Sequence, residues 1–265
     1  MRYAGDVKIT FLGSGGAFTD FRQNYHNNAL VETGAGPVLL DCGFTAAQSM
    51  RELGIHPGAL SAVLFTHLHA DHASPEQVIW ERYYSGPHGF PEFKPTRLVA
   101  PGELLSPMKA SLEHYIGIYS DPTGTVRDDG VDSLVQFEHT REVEIGGVRF
   151  QFFRVPHVHG NNIDKAAFGV KITEGNKTVM WSGDTTFSPD WVRRAADDPN
   201  VTQIFHECTF FPHFRGTVHT HWNELLTLPD DARSKLTLMH HTAVPDGVDI
   251  EAVADAARRH QIFEL

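Results

Sequence analysis

The chain has 265 residues, 41% hydrophobic and 21% charged, the composition of a globular α/β protein with length enough for a substantial buried core. No apolar run nears the roughly 20 residues that span a bilayer, and MRYAGDVKITFLGSGG lacks the apolar core of a secretory signal, so a cytoplasmic protein with no membrane partner is expected. A net charge of −11 gives no general pull on a phosphate backbone, and two distant cysteines, Cys42 and Cys208, argue against a disulfide framework.

In chain order, DVKITFLGSGGA alternates apolar residues and then breaks into glycine, which predicts a strand over 7–12 and a turn. NNALVETGAGPVLLDCG reads as two strands turning at 34–36, the second ending at Asp41. TAAQSMRELGI has helical spacing, with Gly54 placed to stop it. LSAVLFTH is a short, continuously apolar strand of the kind covered on both faces. SPEQVIWERYYSG predicts a helix with Ser74 as N-cap and Pro75 at its first position. PTRLVAP reads as strand and turn, ELLSPMKASLEHYIGIY as a helix, and SDPTGTVRDDGVDS as an exposed loop. REVEIGGVRFQFFRVPH and AAFGVKITEGNKTVMWSGD read as hairpins turning at 146–147 and 174–176. PDWVRRAADD predicts a short helix, VTQIFHECT a strand, HTHWNELLTLPDDARSK the start of a helix, LTLMHHT a strand and DIEAVADAARRHQI a closing helix. With no linker and no repeat, this pattern predicts one domain over 1–265, sheets inside and helices outside.

The 17 histidines fall into groups: His67, His69 and His72; His157 and His159; His213, His219 and His221; His240 and His241. Several groups spread along one chain suggest ligands converging on one site. In VLFTHLHADHAS, the strand end lets His67 and His69 point the same way, because side chains alternate along extended backbone. Asp71 and His72 follow where the chain turns, so the segment offers one pair of donors to each of two metal ions. Imidazole and carboxylate suit zinc, manganese or iron. The remaining donors must come from other strand ends: His157, Asp184, and either His240 or His241. An aspartate between two cations can bridge them, the role given to Asp184.

The stretch from Thr66 to His72, THLHADH, resembles the HxHxDH signature of the metallo-β-lactamase superfamily. Asp41, His157, Asp184 and His240 stand in that family's order, so the resemblance spans 9–241. It implies an α/β fold, the metallo-β-lactamase αβ/βα four-layer sandwich, and a cofactor of two divalent metal ions, Zn2+ foremost, with Mn2+ or Fe as alternatives. It also implies that His67, His69 and His157 hold the first ion, Asp71, His72 and His240 the second, with Asp184 bridging and Asp41 orienting ligands from behind. FLGSGGA resembles the glycine-rich opening of the ribonuclease Z-like branch. FHECTF resembles its HEAT motif, with Cys208 in place of alanine, and VHTHWNELLTLP resembles its next histidine element. The catalytic candidates are therefore Asp71, His206, Glu207 and His219. A histidine held by a carboxylate can stay protonated and act as general acid; that task falls to His206, with Glu207 orienting it.

The branch's long-form transfer-RNA 3′-processing endonuclease carries an RNA-gripping arm between the elements matching His157 and Asp184. Here that interval has room for one hairpin. With the acidic charge, this favours a small-molecule phosphodiester over nucleic acid as partner. The sequence is most like the small ribonuclease Z-like cyclic-nucleotide phosphodiesterases, the anti-Pycsar type and its bacterial relatives, which imply a homodimer. Residues 80–132 read as an insertion forming a lid or a dimer contact, with Tyr83 or Tyr84 of WERYYSGPHGFPEF available to stack on a base. The rival readings are a transfer-RNA 3′-processing endonuclease, a lactone or sulfate ester hydrolase, and a non-catalytic binding protein like those of PQQ biosynthesis.

Overall fold

The computed structural model describes residues 7–85, 89, 92–160, 163–211, 218–241, 244–250 and 252–265; His213 and part of WERYYSGPHGFPEF lie outside them. The alternating KITFLG forms β1 (Lys8–Gly13), antiparallel to β2 (Asn28–Val31), which is antiparallel to β3 (Val38–Leu40). The sheet then turns parallel, adding β4 (Ala62–Leu64) and β5 (Thr96–Ala100). Parallel neighbours need crossovers, and α1 (Ala46–Glu52), α2 (Glu76–Tyr84) and α3 (Gly102–Ile116) alternate with these strands along the chain. Met50, Ile79 and Leu105 carry their apolar faces into the core. Helix α2 starts later than expected: Pro75 takes the N-cap position, and the Ser74 hydroxyl donates to the Ala70 carbonyl instead (2.8 Å).

The expected loop after α3 contains a hairpin, β6 (Tyr119–Ser120) and β7 (Val126–Arg127). The Asp121 carboxylate organises it, accepting from Thr123 and Thr125 backbone nitrogens and pairing with Arg127. A strand with no clear signal in the sequence, β8 (Val135–His139), then joins β5 in parallel. It is an edge strand, partly open to solvent, so its apolar alternation is weak. Residues 80–132 thus include an inner strand, β5, and are not wholly an added lid. Their aromatics pack on each other: Tyr83 meets Phe93 and Tyr119 at ring centroids 4.5 and 5.3 Å apart, and the Tyr84 hydroxyl donates to the Ser120 carbonyl. Base stacking by buried Tyr83 therefore does not fit this packing, while Tyr84 keeps 46% of its surface exposed with its hydroxyl tied down.

The second sheet begins with the hairpin of β9 (Glu142–Ile145) and β10 (Val148–Arg154). A small hairpin, β11 (His159–Gly160) and β12 (Ile163–Asp164), precedes β13 (Phe168–Glu174), which pairs antiparallel with β10 and with β14 (Lys177–Trp181). After α4 (Pro189–Asp197), β15 (Val201–Glu207) continues the sheet in parallel. The helix expected from HTHWNELLTLPDDARSK is broken at Pro229 into two single turns, α5 (Trp222–Leu225) and α6 (Asp230–Arg233). Next come β16 (Leu236–Met239) and β17 (Asp255–Ala256), both parallel.

The tail is not the predicted helix. After β17 it crosses to the first sheet, where β18 (Ile262–Glu264) pairs antiparallel with β1. Its alanines and arginines favour helix, but two open sheet edges offer its backbone groups partners, and tertiary pairing overrides propensity.

The two sheets, each of seven strands among the described residues, face each other. Phe11 of the first sheet lies 5.3 Å from Trp181 and 5.1 Å from Phe205 of the second, centroid to centroid. Buried rings of this kind each contribute about 3–5 kcal/mol. Val192 and Ala232 of the later helices pack with Ile204 and Leu238 on the second sheet's outer face. The order helix, sheet, sheet, helix is the expected sandwich. No described helix is long and apolar enough to cross a membrane.

Candidate metal centre

The site forms where parallel strands end, the usual place for ligands in α/β sheets. Asp41 follows β3, His67 follows β4, Asp184 follows β14, Glu207 ends β15 and His240 follows β16. Two glycines let these ends converge. A Cβ on Gly43 would lie 1.9 Å from the Asp71 carbonyl oxygen. Gly183 has φ +59, and a Cβ there would lie 2.5 Å from the Phe168 carbonyl oxygen. Asp41 (φ 57) and His240 (φ 53) are themselves left-handed, a strained state that persists where surrounding contacts hold it.

Two groups of donors result, His67, His69, His157 and Asp184, and Asp71, His72 and His240, with donor atoms in each within 4.8 Å of one another; a third combination, Asp184, His219 and His240, meets the same distance. The Asp184 carboxylate stands between them: Oδ1 is 3.3 Å from His72 Nε2, and Oδ2 is 3.6 Å from His67 Nε2 and 3.5 Å from His240 Nε2. His240 Nε2 is also 3.1 Å from Asp71 Oδ2. Of the two adjacent histidines, His240 joins the cluster, while the His241 ring lies against Phe210.

The donor chemistry fits divalent cations. His67 Nε2, His72 Nε2 and Asp184 Oδ1 are buried and make no hydrogen bond, a costly state for polar atoms unless an ion satisfies them. Their other ring atoms are anchored. His72 Nδ1 donates to Asp41 Oδ2 (2.8 Å), and His157 Nδ1 donates to the Val218 carbonyl (2.6 Å), so Nε2 is the ring atom each turns toward the cluster.

The charges are tightly linked. Burial pushes His67 well below its ordinary pKa, with the neighbouring His72 adding to the effect, and it lowers His69 and His157 too. Burial also opposes a charge on His72, but Asp184, Asp71 and Asp41 outweigh it and hold that imidazole well above its usual value. Burial alone would raise Asp71 and Asp184; the surrounding imidazoles hold both far below the carboxylate range. A divalent cation would take the place of the proton that this arrangement attracts.

Asp41 is fully buried and accepts from Thr66 N (2.7 Å), Thr66 Oγ1 (2.8 Å) and His72 Nδ1. Asp41→Asn would present a donor where three donors already point. It should weaken metal affinity about 10- to 100-fold, read by competition with a chelator; unchanged affinity would leave Asp41 only a folding role.

Glu207 and His219 meet beside the cluster. Glu207 Oε1 accepts from Thr185 N (2.9 Å), Thr220 N (3.2 Å) and His219 Nδ1 (3.2 Å). The His219 ring stacks on His240 with centroids 5.4 Å apart, and its Nδ1 is 3.9 Å from Asp184 Oδ2. Burial works against its charged form, but Glu207 and then Asp184 outweigh it and push its pKa up to about 9.

His206 is not there. Neighbours along a strand point to opposite faces, and where Phe205 and Glu207 face inward, His206 turns outward, fully buried and stacked on Trp191 at 5.3 Å. Burial lowers its pKa. The general-acid role given to His206 is corrected on that geometry. Supporting residues that motif reading missed are Thr66, Thr185, Thr220 and Asn28, whose side chain bonds Gly43 N (3.0 Å) and the Asp71 carbonyl (3.3 Å). Only Asn28, a polar residue opening a buried strand, left a trace in the sequence.

Two hollows reach the cluster. One of about 980 Å³ is lined by His67, His69 and His157, the α3 residues Glu103, Leu104 and Pro107, and basic residues including Arg141 and Arg154. The other, about 60 Å³, is lined by Gly16, Ala17, Phe18, Thr209, Phe211, His219 and His240.

Residues 7–263 match the family described as Anti-Pycsar protein Apyc1. The chain is 28% identical over 267 residues to an anti-Pycsar protein Apyc1 of Paenibacillus sp. (strain J14), covering 98% of this chain and 99% of the relative. It is 30% identical over 246 residues to one of Bacillus phage 010DV004, covering 89% of each. Among solved structures, the metallo-β-lactamase fold protein YhfI of Bacillus subtilis superposes with a TM-score of 0.71 at 18% identity, over 97% of this chain and 99% of that one. That likeness establishes the metallo-β-lactamase fold.

Proposed function

Because the chain belongs to the anti-Pycsar protein Apyc1 family, we propose that it is a metal-dependent phosphodiesterase that hydrolyses a small cyclic nucleotide. The observation that carries this reading is the convergence, in a chain matched over residues 7–263, of all seven expected donors with a carboxylate-held histidine beside them. Two divalent ions, Zn2+ foremost, would activate water and neutralise charge on the phosphoryl group.

In this reading His67, His69 and His157 would hold one ion and Asp71, His72 and His240 the other, with Asp184 available to both. Asp71 would also orient the attacking water by accepting its hydrogen bond, the water's proton passing on to solvent. One phosphorus–oxygen ester bond breaks as the water oxygen bonds to phosphorus, and His219 gives its proton to the departing ribose oxygen. Glu207 keeps the His219 ring turned to that task. His219, not His206, is the acid because it is the one that reaches the cluster.

The test is a substrate panel on metal-loaded enzyme: cyclic mononucleotides, a small cyclic dinucleotide, an aryl phosphodiester, a lactone and a precursor transfer RNA. A cyclic nucleotide should be turned over with kcat/KM far above that for precursor transfer RNA per scissile bond. Site-selective cutting of the transfer RNA with cyclic nucleotides untouched would overturn the proposal.

A further inference from the structure

Phe18 shows 82% of its surface and Phe211 shows 36%. Both border the hollow that contains His219 and His240. They come from separate loops, Phe18 after β1 and Phe211 after β15. The first loop is drawn in tightly: Thr19 N donates to the Gly16 carbonyl (3.1 Å), and a Cβ on Gly16 would stand 3.3 Å from the His240 carbonyl oxygen. An aromatic ring this open, beside a polar cluster, contributes little to the core, and with Phe211 it leaves apolar surface on the rim of that hollow.

The chemistry says what should lie against it. His219 lines this hollow and not the larger one. In a cyclic nucleotide, the oxygen that leaves belongs to the ribose, and the ribose also carries the base. A ribose placed with its leaving oxygen at His219 puts the base on the same side. Among the described residues, the larger hollow has no phenylalanine, tyrosine or tryptophan in its lining, and Arg141 and Arg154 there are paired with Glu103 and Asp164. The small hollow is too shallow to swallow a base, so the base would rest on its rim, where the Phe18 ring is open.

We propose that Phe18, with Phe211 as the facing wall, is the nucleobase subsite of this enzyme, holding the base by stacking. The proposal rests on the phosphodiesterase reading above and adds which residues recognise the base and on which side of the metal centre. Stacking on an aromatic ring tolerates any base, since every base offers a π-face.

The experiment compares 3′,5′-cyclic AMP and 3′,5′-cyclic UMP with trimethylene phosphate, a six-membered cyclic phosphodiester with neither sugar nor base, on metal-loaded enzyme. Phe18→Ala should lower the kcat/KM ratio of nucleotide to trimethylene phosphate about 5- to 100-fold, mainly through KM. Phe18→Trp should restore it. Equal losses on nucleotide and trimethylene phosphate would overturn the subsite and leave the phosphodiesterase reading standing. So would equal losses accompanied by a change in oligomeric state on sizing, which would assign Phe18 to a contact between copies. A wild type inactive on all three substrates, and on a small cyclic dinucleotide and an aryl phosphodiester as well, would sink the phosphodiesterase reading itself.

Discussion

Asp184→Ala should abolish cyclic-nucleotide hydrolysis, with a loss on the order of 10³-fold or more, and should strip metal from the protein. The reason is placement. The Asp184 carboxylate approaches His67, His72 and His240, donors of both groups, within 3.6 Å. Without it, six donors remain, but five are imidazoles, and Asp71 is left as the only carboxylate among them to balance two dications. Asp184→Asn keeps the shape and removes the charge, so it should fail nearly as badly. Elemental analysis of the reconstituted wild type should approach two ions per chain and fall well below that in either variant, with circular dichroism unchanged. A saturated wild-type value near one would end the two-metal reading, and a variant that keeps both ions would remove Asp184 from the bridging role.

His219→Ala should slow a substrate with an alkoxide leaving group by roughly 10²–10⁴-fold, and an aryl phosphodiester far less, because an aryloxide departs with little help from a proton. Metal content should stay at the wild-type level. Glu207→Gln should show the same asymmetry in weaker form, since Glu207 acts through the His219 Nδ1 it holds at 3.2 Å. His206→Ala is the control on the opposite face of β15: it should leave the ratio of the two rates where the wild type has it. Equal losses on both substrates for His219→Ala would reduce His219 to positioning. A shifted ratio for His206→Ala would reinstate the assignment made from sequence.

The candidate metal donors were legible because most follow short apolar strands, and backbone alternation decides which of His67, Leu68 and His69 share a face. The same alternation misled at FHECTF. Nothing local tells which face of β15 looks inward, and the pairing of β14 with β15 shifts register between Thr178 and Val179. A one-residue slip exchanges the two faces of a strand, so His206 and Glu207 could be assigned only once the packing was known. His219 was named from its motif, but its contact with Glu207 joins residues 12 apart in sequence, a separation that no spacing rule covers. The aromatic run around Tyr83 looked like a binding surface because its composition suits one; its rings are spent on each other and on Tyr119. The tail failed for another reason: its helical propensity is real, but the unpaired edges of two sheets compete for the same backbone.

That tail bears on how the protein is made. Asp255–Ala256 pair with Thr237–Leu238 of the second sheet, and a few residues later Ile262–Glu264 pair with Lys8–Thr10 of the first. During synthesis β1 is made more than two hundred residues before its outer partner. Until then the growing chain carries an open strand edge, the kind of surface on which nascent chains aggregate. Neither sheet can be completed before the segment holding β17 and β18 has been made, so the architecture closes late, by a contact between residues more than two hundred positions apart in order of synthesis.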